Sequence, residues 1–136
     1  KTIVSGGDDG TVRLWNPQLK PIAQPFKGHS GSVYSVAIST DGKTIVSGGD
    51  DGTVRLWNQQ GQPIAQPFKA HKGPVYSVAI STNGKTIVSG GQDGTVRLWD
   101  INFDHWLKIA CERLRFHPAL VGDAKATCQP YFRSLH

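Results

Sequence analysis

"KTIVSGGDDGTVRLWN", residues 43–58, decides how this chain reads. The same sixteen letters stand at 1–16, and they return at 85–100 with two changes, Gln92 and Asp100. Lys1, Lys43 and Lys85 set a period of 42, and the first two 42-residue units differ at only seven positions. A fixed period of about 40–45 residues marks stacked supersecondary units, each burying its faces only against neighbours. Inside the quoted stretch, "KTIVSGG" and "TVRLWN" are rich in β-branched and aromatic residues and flank the turn "DDG", which reads as two strands of a hairpin.

Working outward, "PIAQPFK" follows, and two prolines in seven residues suit only an edge strand. Next comes "SVYSVAIS", alternating β-formers closed by Asp41-Gly42 or Asn83-Gly84. These dipeptides signal a hairpin in which both residues can take positive φ. No segment up to residue 100 has helical periodicity. Residues 1–100 therefore read as all-β, with three strands, then four, then three.

After Asp100 the period is lost. Phe103, Trp106, Leu107, Ala110, Cys111 and Leu114 form one apolar stripe at helical spacing. Asn102 or Asp104 caps its start and Pro118 marks its end. The expected organisation is repeat units at 1–42, 43–84 and, in part, 85–100, then a short helical C-terminal tail over 101–136.

Bulk properties narrow the function. The chain has 136 residues and a net charge of +5, with no three basic residues in a row. A nucleic-acid binder concentrates such charge on one face; here it follows the repeat, so no nucleic acid is expected. No apolar run approaches the roughly 18 residues that span a bilayer, and the tail's polar face mixes both charge signs, so no membrane partner is expected. No export leader is recognisable, and a cytoplasmic location is the expectation. Both cysteines, Cys111 and Cys128, lie in the tail, so the repeats are not stapled by disulfides. With His105, His117 and His136 they match no zinc spacing, and no metal or cofactor is expected. "DGKT" at 41–44 has Ala37 where a nucleotide-binding loop needs its first glycine, and "DDG" lacks the alternating carboxylates of a calcium loop.

The stretch "GHSGSVYSVAISTDGKTIVSGGDDGTVRLWN" resembles a unit of the WD-repeat family: a Gly-His pair, two inner strands, an Asp and a closing Trp. Residues 1–100 match that pattern throughout. Two departures stand out, Ala70-His71 for Gly-His, and Trp-Asn for Trp-Asp at Trp15-Asn16 and Trp57-Asn58. The resemblance implies β-propeller blades of four antiparallel strands, ordered inner to outer as "SVYSVAIS", "KTIVSGG", "TVRLWN" and "PIAQPFK". It implies a buried hydrogen-bonded tetrad per blade: Asp51, His29, Ser47 and Trp57, then Asp93, His71, Ser89 and Trp99, with Asp9, Ser5 and Trp15 in the first copy. It also implies a partner-binding top face at Tyr34, Ser32 and Asp50, at Tyr76, Pro74 and Gln92, and at Asp8. Tyrosines beside acidic or small neighbours suit basic or amide-bearing peptides.

Asp, His and Ser in one unit suggest a catalytic triad, but the set recurs in each copy and ends on a Trp, as a satisfied buried network does. The expected function is thus a non-catalytic scaffold or sensor binding a protein or peptide. The tail, "WLKIACERLRFHPAL…CQPYFRSLH", resembles the C-terminal tail of cyanobacterial WD-repeat proteins. That likeness implies the C-terminal part of a larger bacterial signalling protein. Such propellers close with about four to eight blades. Two arrangements stay open: further blades of the same chain, or a self-assembling homo-oligomer with a structural role.

Overall fold

The structure is a computed structural model that describes residues 1–101. The expected tail helix, with Cys111 and Cys128, lies outside the described residues. Ten strands form three antiparallel sheets. The first holds β1 (Ile3–Gly6), β2 (Thr11–Trp15) and β3 (Phe26–Lys27), in that order. The second runs β4 (Val33–Ile38), β5 (Ile45–Gly49), β6 (Thr53–Trp57) and β7 (Phe68–Lys69). The third contains β8 (Val75–Ile80), β9 (Thr86–Gly91) and β10 (Val96–Asp100). The described residues thus build three strands, four and three, as the repeat pattern predicts.

Equal sequence gives equal register. Ile3 faces Trp15 across β1 and β2, and Ile45 faces Trp57 across β5 and β6. "PIAQPFK" departs from expectation, since only its Phe-Lys forms a strand in the first two copies. Its first proline keeps an isolated bridge, Trp15 to Pro21 and Trp57 to Pro63. A proline has no N–H to give the ladder, which confines pairing to the segment's two ends.

The turns also resolve differently. Gly42 and Gly84 take positive φ, at 73° and 69°, while Asp41 and Asn83 do not. The Asp41 carboxylate instead accepts from the Ser39 hydroxyl at 2.6 Å and the Lys43 amide at 3.0 Å. That side chain locks the turn, so only the glycine enters the left-handed region.

Each sheet leans on the next through a repeated contact. Val12 and Leu14 on β2 are buried in one cluster with Phe26, Val33, Ile45 and Trp57. Phe26 lies 5.8 Å from the Trp57 ring, and Phe68 stacks on Trp99 at 4.9 Å. Glycines let the backbones close: a Cβ on Gly6 would stand 2.6 Å from Val33, and one on Gly48 2.6 Å from Val75. Each fully buried Val, Leu or Ile at these faces contributes about 1.5–3 kcal/mol.

Candidate functional site

The second copy shows the polar network in full. Trp57 Nε1 donates to Ser47 Oγ at 2.9 Å, and Ser47 Oγ lies 2.7 Å from His29 Nε2. His29 Nδ1 stands 3.1 Å from Asp51 Oδ1. A carboxylate only accepts, so Nδ1 carries the proton and Nε2 is left to accept from the Ser47 hydroxyl. The His29 side chain is wholly buried. Burial lowers its pKa against the opposing pull of Asp51, which keeps the imidazole neutral. Burial on its own would raise Asp51. Hydrogen bonds from the Ser30 amide, Thr53 and His29 outweigh it and hold the carboxyl below its usual range.

Thr53 is the member that the sequence reading missed. Its hydroxyl donates to Asp51 Oδ1 at 2.8 Å and its amide to the same oxygen at 3.1 Å. The legible signal was Asp-Gly-Thr, a carboxylate two residues before a hydroxyl, which recurs at Asp9 and Asp93.

The third copy repeats the arrangement. His71 reaches Asp93 at 2.9 Å and Ser89 at 2.9 Å, and Trp99 reaches Ser89 at 3.3 Å. The Thr95 hydroxyl, foremost, holds Asp93 far below the usual carboxylate range. In the first copy Trp15 still donates to Ser5 at 2.9 Å. Asp9 keeps the threonine bond of the other copies, from the Thr11 hydroxyl at 2.7 Å, and pairs with Arg13 at 2.8 Å. Hydrogen bonds thus join Trp57, Ser47, His29 and Asp51, and likewise Trp99, Ser89, His71 and Asp93, whereas in the first copy they join only Trp15 and Ser5, and Asp9 bonds elsewhere.

The proposed partner-binding positions gather where β4 and β8 begin. Val33 pairs with Gly49 but Ser35 with Gly48, so Tyr34 is the extra residue of a β-bulge, and Tyr76 repeats this between Val75 and Ser77. A bulge re-aims the side chain it adds. Tyr34 and Tyr76 come out 48% and 53% exposed, with ring centroids 5.7 Å apart. The Tyr34 hydroxyl donates to Asp50 Oδ1 at 3.3 Å. The charge of Asp50, followed by burial, that hydrogen bond, Tyr76 and Asp8, raises the Tyr34 pKa. Backbone bonds tie four of the other positions in two pairs, Asp50 N to Ser32 O and Gln92 N to Pro74 O, each 2.9 Å. The cluster is thus aromatic, acidic and open. Among the described residues, no three His, Cys, Asp or Glu stand together as metal ligands, and no helix is long and apolar enough to cross a membrane.

Antiparallel sheets of one repeated sequence, stacked face on face around Trp–Ser–His–Asp networks, define blades of a propeller-like repeat protein. The chain belongs to the WD domain, G-beta repeat family, whose model matches residues 1–16, 19–58 and 61–100. WD repeats serve generally as non-catalytic scaffolds that bind protein partners. No curated protein matches the chain as a relative.

Proposed function

We propose that this chain is a non-catalytic protein-interaction module that binds a basic peptide segment at Tyr34, Tyr76, Asp50 and Asp8. One observation carries the reading. In a repeat whose other aromatic rings are covered or partly covered, a bulge turns two tyrosines outward beside a carboxylate. An aromatic ring over which a cation sits gains about 0.5–1 kcal/mol at an exposed site, and an adjacent carboxylate adds a charge-assisted hydrogen bond. Ser32 and Pro74 flank the pair and differ between copies, which fits partner choice on a constant frame. The module belongs in our reading to the C-terminal part of a larger bacterial signalling protein in the cytoplasm, with residues 101–136 as a helical tail.

Fluorescence anisotropy with labelled oligolysine and oligoglutamate peptides tests this. Oligolysine is expected to bind, with affinity falling as salt rises. Equal binding of both peptides, or of neither, would overturn the reading.

A further inference from the structure

Tyr34 and Tyr76 are the two tyrosines among the described residues, and the repeat sets them 42 residues apart at equal places on β4 and β8. Each ring is turned outward by its bulge, and both are exposed. Their planes tilt by 56° at a centroid separation of 5.7 Å, within the range of touching aromatic pairs. The charge of Asp50 foremost, and Tyr76 among the lesser causes, raise the Tyr34 pKa, so the hydroxyl ends sense each other as well as the rings. The two strands are also fixed to one another away from the rings. Ser35 Oγ on β4 accepts from the Val78 amide on β8 at 3.0 Å, and beyond them the Thr40 hydroxyl donates to the Thr82 carbonyl at 3.1 Å. The phenols thus meet on fixed backbones. Removing an electron from a phenol makes its hydroxyl proton strongly acidic, so a base at the hydroxyl eases the step. Tyr34 has one, since its hydroxyl donates to Asp50 Oδ1 at 3.3 Å. Tyr76 has Gln92 at the equivalent position, an amide that takes no proton.

We propose that Tyr34 and Tyr76 form an oxidative modification site, where hydrogen peroxide acting through a haem peroxidase couples the two phenols into a biphenol that ties β4 to β8. Each tyrosine loses one electron to the peroxidase and its hydroxyl proton, which passes to Asp50 from Tyr34 and to water from Tyr76. The two radicals join by a carbon–carbon bond between ring carbons ortho to the oxygens. The hydrogens on those carbons then move to the oxygens and restore both phenols. The two electrons and two protons released reduce one peroxide to two waters. Because the rings already touch, each radical meets its partner within the chain at high effective concentration. A carbon–carbon bond is not reversed by thiols, so the tie between neighbouring sheets is permanent. This chemistry uses the same rings as peptide binding but does not rest on a bound peptide.

The test treats the dilute full chain with hydrogen peroxide and a haem peroxidase and separates the products on a denaturing gel. The blue fluorescence of the biphenol is expected in the band at the mass of one chain. Trypsin should release residues 28–43 joined to residues 73–85, lighter by two hydrogens than the separate peptides. Tyr34→Phe and Tyr76→Phe keep each exposed ring without its hydroxyl, and each is expected to lose the product. An unchanged far-ultraviolet circular dichroism spectrum verifies that each variant is folded. Tyr131→Phe removes the chain's third tyrosine and is expected to leave the yield unchanged. Asp50→Asn is expected to slow the coupling severalfold while giving the same joined peptides. Absence of the fluorescence from the one-chain band overturns the proposal. So does a product that survives in either Tyr34→Phe or Tyr76→Phe, is lost in Tyr131→Phe, or falls away as the chain is diluted. Coupling as fast in Asp50→Asn as in the wild type overturns the proton transfer to Asp50.

Discussion

Replacing Trp57 with alanine separates the residue that holds a blade from the residue that names the motif. Trp57 is 2% exposed, donates to the buried Ser47 hydroxyl and lies against Phe26 and Gly28 of the preceding sheet. A buried Trp removes about 150–250 Å² from water, roughly 4–6 kcal/mol at about 25 cal/mol per Å². Alanine retains a little of that and the site relaxes in part, so the expected loss is about 3–5 kcal/mol. The adjacent Asn58 is half-buried and accepts from the Gln60 and Gln62 amides, both at 2.9 Å. Losing that turn cap costs about 1 kcal/mol in Asn58→Ala. Urea unfolding followed by far-ultraviolet circular dichroism reads both. The Trp57 variant is expected to unfold at a much lower midpoint, with the Asn58 variant close to wild type. Coincident midpoints would refute the reasoning.

Three further outcomes follow from the same geometry. Ser47→Ala leaves the Trp57 N–H and His29 Nε2 without their shared partner in a buried place, and is expected to lower stability by about 1–3 kcal/mol in urea. The pH dependence has a definite sign. His29 is lowered in the folded state, so below about pH 6.5 the unfolded chain takes up more protons and stability falls. The lowered Asp51 adds stability above about pH 4 that is lost as pH falls further. Urea midpoints measured from pH 8 down to 3 should show both slopes, and His29→Gln should remove the upper one. Leu19 holds φ at 57° and is 69% exposed, at the position where the second copy has Gly61. Leu19→Gly is expected to raise stability by about 1 kcal/mol, read as a higher urea midpoint.

Strand number was legible because turn residues and β-formers alternate in each 42-residue unit, while strand order within a sheet was what the family resemblance implied. That Asp51, His29, Ser47 and Trp57 form one network came from the resemblance to the WD-repeat pattern, not from spacing. Three features were not legible. The bulges at Tyr34 and Tyr76 depend on how β4 and β8 meet a neighbouring strand, and an alternating pattern does not show an inserted residue. The two prolines of "PIAQPFK" marked an edge strand, but not that only Phe-Lys and an isolated bridge at the first proline would pair. Trp15 and Trp57 sit in identical local sequence, yet one borders an open groove and the other is buried. Coverage by a neighbouring sheet is a property of the stack, and no local window carries it.

The most direct measurement pairs binding with unfolding in a Tyr34→Ala/Tyr76→Ala double variant. Both rings are exposed, so the urea midpoint should stay within about 1 kcal/mol of wild type while oligolysine binding is lost. Retained binding, or a fall in stability like that of Trp57→Ala, would show that the bulged tyrosines support the fold and do not recognise a partner.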